Sequence, residues 1–278
     1  MVTDDPSCAL STPAGSRSVH PRAFTRANLR RQVPCAEARA EPHNRERSMS
    51  EQVIDETSPC KALVWPGSML ASIAHAVFVA RAPFMAHEQS WDGRSYNMQD
   101  SAGSRGVITF GEDKNSFVAF FYLDGKPTTT RRDDRYAASV LRAVPARLRR
   151  LALEATQYII DDVGRKAVPV ATAAFWSDPD GSRVAATERW RDVLEHGALL
   201  AKNQVLPAEL GLQRWVREFE LSPAEAALTE LLFMRRCSST EPVWLTTAEA
   251  ERLQATADPE AGVQACRRSL AEVGLGWP

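Results

Sequence analysis

The stretch Phe117 to Leu123, FVAFFYL, limits the folds open to this chain more than any other. Side chains alternate across a pleated strand, and here both sides are apolar, so both faces must be covered. Its aromatic and β-branched content suits a strand. The same holds for Gly106 to Phe110, GVITF, and the polar GEDKNS between them has hairpin length. Upstream, RSYNMQ leads through the small loop DSAGSR into GVITF and supplies a third strand. These segments read as an antiparallel meander from about Arg94 to Asp124, closed by DGKP.

Beyond the meander the period becomes helical. Leu148, Leu151, Ala155 and Ile159 recur on one face, with Gly164 placed to stop the helix. Val168 to Trp176, VPVATAAFW, fits a buried strand or a short helix, because short apolar runs do not separate the two. DPDG from Asp178 makes a turn, and Trp190, Val193, Leu194, Gly197 and Ala201 line one side of the next helix. Ser222, Pro223 and Glu225 spell a capping box with proline at the first helical position. Thr246 and Glu249 repeat the box spacing. Asp258 and Pro259 open a helix whose stripe of Val263, Cys266, Leu270 and Val273 ends at Gly274. Ahead of the meander, SMLASIAHAVFVA sets Met69, Ile73, Ala74 and Val77 on one helical face up to Pro83, although AVFVA also suits a strand. The fold class expected is α+β, a small antiparallel β-meander followed by a mostly helical C-terminal part packed against it.

Residues 1–60 have a different texture. Ser, Pro, Arg and Ala dominate, and no apolar period can be read, so this leader cannot bury enough surface to offset its ordering entropy. Its arginines faintly suggest a transit peptide, but Asp4 and Asp5 argue against targeting, and Met49 and Met69 offer later starting points. A single domain is therefore expected over 61–278, with its sheet part at about 63–125 and its helical part at about 133–278.

Composition narrows the chemistry. A net charge of -1 gives no global pull toward nucleic acid or anionic membrane. Five cysteines, an odd number without C-x-x-C spacing, argue against a disulfide scaffold or a Cys-rich zinc site. The apolar run from Met69 to Ala80 is shorter than the roughly 18 residues that span a bilayer. A cytoplasmic protein with no cofactor, no metal and no membrane partner is the expectation.

Met85 to Phe110 is the stretch richest in reactive side chains. His87-Glu88 starts like the zinc motif H-E-x-x-H, but Trp91 stands where the second histidine belongs. Gly103-Ser104-Arg105-Gly106 lacks the Lys-Ser/Thr ending of a phosphate loop, and no G-x-S-x-G elbow occurs. Two functional sets remain: His87 with Glu88 or Asp92 as an acid–base pair of a hydrolase, and Trp91, Arg94 and Tyr96 as a binding patch. The competing reading makes Trp91-Asp92-Gly93 a turn that anchors the sheet. A third set is the basic region 126–150, where Arg131, Arg132, Arg135, Arg147 and Arg150 could face nucleic acid, although a solvated helix face explains such a run as well. The function expected is non-catalytic binding of another protein, as in an immunity or antitoxin-like companion of an effector. Hydrolysis through His87 is the first alternative and nucleic-acid binding the second.

Overall fold

A computed structural model describes residues 61–123, 134–163, 165–184 and 190–278; the leader, Gly164, Arg131 and Arg132 lie outside them. The long first helix, α1 (Lys61–Val79), precedes four strands in hairpin succession: β1 (Gln89–Asp92), β2 (Ser95–Gln99), β3 (Arg105–Phe110) and β4 (Phe117–Tyr122). Helices α2 (Asp134–Ala143) and α3 (Arg149–Ala155) follow, then a small separate hairpin of β5 (Ile160–Val163) and β6 (Lys166–Pro169). The chain returns to the main sheet with β7 (Ala173–Asp178) and β8 (Gly181–Val184). It ends in α4 (Trp190–His196), α5 (Ala208–Glu218), α6 (Pro223–Cys237), β9 (Val243–Trp244), α7 (Thr247–Thr256), α8 (Ala261–Glu272) and β10 (Leu275–Gly276). The six-stranded sheet has the order β1-β2-β3-β4-β7-β8, with every neighbouring pair antiparallel.

Strand β4 lies inside the sheet, and Phe117 to Phe121 are all fully buried. The two-sided burial read from its sequence follows from two separate cores. One sheet face carries Tyr96, Met98, Ile108, Phe110, Phe117, Ala119, Phe121 and Phe175 against α1 and the C-terminal helices. The other carries Val107, Val118, Phe120, Ala174 and Trp176 against Ala137, Val140, Leu148, Leu151, Ala152 and Ala155 of the α2–α3 layer. Burying one phenylalanine in such a place contributes about 1.5–3 kcal/mol. Gly106 sits opposite Phe121 in the ladder, and a Cβ there would come within 2.4 Å of the Phe121 ring. The absent side chain lets that ring lie across β3.

The sheet does not stop near residue 125. VPVATAAFW is extended and divides between β6 and β7, and DPDG turns β7 into β8 through the Asp178–Gly181 pair. The helix expected up to Gly164 ends earlier, at Ala155 with a 3-10 turn to Tyr158, and Ile160 to Val163 are strand. AVFVA, by contrast, is helical from Ala76 to Val79.

Helix α1 has 19 residues and by length and composition is long and apolar enough to cross a membrane. It includes residues before Met69 that a count of unbroken apolar positions leaves out. Here it is a core helix, packed against α5, α6 and α8. Its buried Ser68 and Ser72 hydroxyls donate to the carbonyls of Val64 and Ser68, each at 2.8 Å, so neither is left unpaired. The end of α1 meets the start of α8, where the Asp258 N–H donates to the Ala80 carbonyl at 2.8 Å. Both capping boxes form as spelled, at Ser222/Glu225 and Thr246/Glu249.

Candidate functional site

The β1–β2 hairpin holds four of the candidate residues, Trp91, Asp92, Arg94 and Tyr96, and His87 and Glu88 stand just ahead of it. Asp92 pairs with Ser95, so Gly93 and Arg94 are a two-residue turn, and Gly93 has a φ of +58°. Glycine with positive φ at the first turn position is what a II′ hairpin requires. Trp91-Asp92-Gly93 is therefore a strand end and its turn.

Trp91 is half-buried and bonded at both of its N–H groups. Its indole Nε1 donates to Ser72 Oγ on α1 at 2.7 Å, and its backbone N–H donates to the Glu272 carboxylate on α8 at 2.8 Å. Its ring lies 5.2 Å from Tyr96 and 5.8 Å from Phe110. Tyr96 has no exposed surface; it donates to Gln89 Oε1 at 2.7 Å and accepts from Gln204 Nε2 at 3.2 Å. Burial pushes its phenol well above the ordinary range. Arg94 points to the opposite sheet face and forks onto Glu154 of α3, with Nε 3.0 Å from Oε1 and Nη2 bonded to Oε2. This hydrogen-bonded pairing raises the Arg94 pKa and lowers that of Glu154. The three residues expected to form a binding patch are thus divided between the two sides of the sheet, and Tyr96 is inaccessible.

The acid–base set is also dispersed. Exposed Asp92 accepts from Tyr158 at 2.8 Å, and His87 Nδ1 lies 2.8 Å from the Phe84 carbonyl. Among the described residues no hydrogen bond or ion pair joins His87 to Glu88 or Asp92. Burial raises the Glu88 pKa, His87 opposes this, and Asp100 and Glu218 add to it. A raised carboxyl is what a general acid needs, but among the described residues no base is hydrogen-bonded to it.

Behind Trp91 lies a small cavity that the sequence did not reveal, lined by Ser72, His75, Gln89, Ser90, Trp91, Ser269 and Glu272. His75 Nε2 lies 3.1 Å from the Met85 carbonyl, tying α1 to the loop before β1. Burial, with a smaller effect of nearby His87, lowers the His75 pKa from 6.5 to about 4, against the opposing pull of the Met85 bond. The imidazole is neutral at pH 7. Burial also raises the Glu272 carboxyl, while the Trp91 amide works against it. The arrangement is a joint between α1, β1 and α8.

The arginine set is only partly on view. Arg131 and Arg132 lie outside the described residues, and of Arg135 only the α2 backbone is described. Arg147 bridges Asp178, at 2.7 Å, and Asp180, so it fastens the α2–α3 layer to the β7–β8 turn. Arg150 is exposed.

No protein-family model, curated protein or solved structure matches this chain. The feature that sequence reasoning passed over is Trp244, which is 64% exposed. β9 and β10 pair in parallel, and a Cβ on Gly276 would lie 2.6 Å from the Trp244 ring, so the indole rests directly on that backbone. Arg235 Nη2 donates to the Trp244 carbonyl while its Nη1 binds the Glu249 carboxylate at 2.8 Å. The available signal was an aromatic residue just outside a capping box, beside the buried Leu245.

Proposed function

We propose that this is a non-catalytic protein that binds another protein, of the kind that neutralises or accompanies an effector, as an immunity or antitoxin-like companion does. The observation that carries the reading is the exposed Trp244, fixed by Gly276 below its ring and Arg235 at its carbonyl. Leu231, 44% exposed, stands one helical turn before Arg235 on α6. Trp and Arg dominate interface hot spots, and a ring already held in place loses little freedom on binding. The hydrolase reading has less support, because Asp92 and His87 are each bonded to other groups.

The test is co-expression with the products of adjacent genes and measurement of any complex by titration calorimetry. Trp244→Ala should weaken the complex by about tenfold or more, as hot-spot truncations do, with the melting temperature unchanged. Unaltered affinity in that variant would remove the basis of the proposal.

A further inference from the structure

The α2–α3 layer offers a second surface, which goes beyond the reading built on Trp244. Its inner side packs on the sheet through Val140, Leu148, Leu151 and Ala155. Its outer side is exposed at Arg142, Arg149, Arg150 and Leu153. From Tyr136 to Ile160 the sequence has one acid, Glu154, and that carboxylate is occupied by Arg94. Among the described residues Arg142, Arg149 and Arg150 have no ion pair. Leu153 is 54% exposed and Ile160 42%. The acids flanking this segment are Asp133 and Asp134 ahead of it, the latter opening α2, and, beyond it, Asp161, paired with Arg105 at 3.2 Å, and the exposed Asp162.

We propose that the outer side of the α2–α3 layer docks the acidic surface of a protein partner, with Arg142, Arg149 and Arg150 taking its carboxylates and Leu153 an apolar side chain. Charge complementarity sets the sign of the partner, since unpaired guanidinium groups on a rigid layer match carboxylates in forked geometry. The exposed aliphatic residues choose among anionic partners. Single-stranded nucleic acid is held by aromatic stacking, whereas Tyr158 is bonded to Asp92 and Tyr136 is half-buried. An anionic membrane calls for clusters of roughly four to eight basic residues, whereas on this layer three described arginines are outside an ion pair, Arg147 being held by Asp178 and Asp180. A protein surface uses both the charges and the leucine.

The test uses the full chain and three fluorescent probes at low salt. These are a fifteen-residue Glu/Asp peptide carrying two leucines, a 20-nucleotide single-stranded RNA, and phosphatidylcholine vesicles with 30% phosphatidylserine. The peptide should bind saturably, and at least tenfold more tightly than the RNA or the vesicles. The triple variant R142E/R149E/R150E should weaken the peptide by about tenfold or more, and Leu153→Ser by about threefold, as charge reversal and loss of an apolar contact do. The double variant R149A/R150A serves if the triple reversal does not fold. No saturable peptide binding, binding that survives the arginine changes, or tighter binding of RNA or vesicles would each overturn the proposal. Trp244→Ala should leave peptide binding intact, which separates this surface from the first.

Discussion

Acidification should unlock the fold at His75. This side chain is 1% exposed, and its pKa lies near 4 in the folded protein against 6.5 for an ordinary histidine. Above pH 6.5 both folded and unfolded chains hold it neutral, so it has no effect on stability. Between pH 6.5 and 4 the unfolded chain binds a proton that the folded chain refuses. Each pH unit in that window therefore removes about 1.4 kcal/mol, or about 3 kcal/mol in all. That is a large share of the about 5–15 kcal/mol that holds a typical domain together. Urea unfolding at half-unit steps from pH 7.5 to 4 measures the slope, and His75→Gln isolates it. The variant starts less stable but should lose little on acidification through this group. The carboxyls raised by burial, Glu88 and Glu272, act in the opposite sense, binding protons first in the folded state, and they are common to both proteins. Parallel loss of stability in wild type and His75→Gln between pH 6.5 and 4 would refute the reasoning.

Two further outcomes follow from the hairpin and from a strained helix end. Trp91→Ala, which removes the bond to Ser72 and the packing on Tyr96 and Phe110, should cost about 3 kcal/mol, whereas Asp92→Asn should stay within about 0.5 kcal/mol. Equal thermal melts for the two would show that the indole contributes nothing special. Glu220 follows α5 with a φ of +49°, and the Leu221 N–H closes the helix end on the Val216 carbonyl at 2.9 Å. Glycine favours that left-handed position, so Glu220→Gly should stabilise the protein by about 1 kcal/mol. An unchanged or lower unfolding midpoint would count against it.

Local chemistry made much of this fold legible. The GVITF and FVAFFYL strands, the Asp92-Gly93 turn and both capping boxes depend on neighbours a few residues away, and each is where its residues put it. The misreading at Ile159 has a physical cause. Its side chain does pack with the α3 stripe, but the chain leaves the helix at Tyr158, so the apolar period runs on while the backbone becomes extended. Helix α5 was not read from the sequence, although Leu212, Trp215, Val216 and Phe219 stand at helical spacing just after Pro207. The candidate site was less readable. Whether Trp91 and Tyr96 face a partner or the core depends on Ser72, Glu272 and Gln204, the last two more than 100 residues away. Nothing near the hairpin in sequence encodes them.

The meeting of α1 with α8 imposes an order on synthesis. The apolar helix emerges ahead of the other described elements, yet one of its main partners, and the Asp258 amide that takes the Ala80 carbonyl, are made almost 180 residues later. At about 5–20 residues per second, α1 waits roughly ten seconds or more before that partner exists. The nascent chain must shelter a greasy helix for that time, on a chaperone or against its own growing sheet. Slowing translation between α1 and α8 should therefore raise the aggregated fraction of this protein more than it lowers the stability of the molecules that finish.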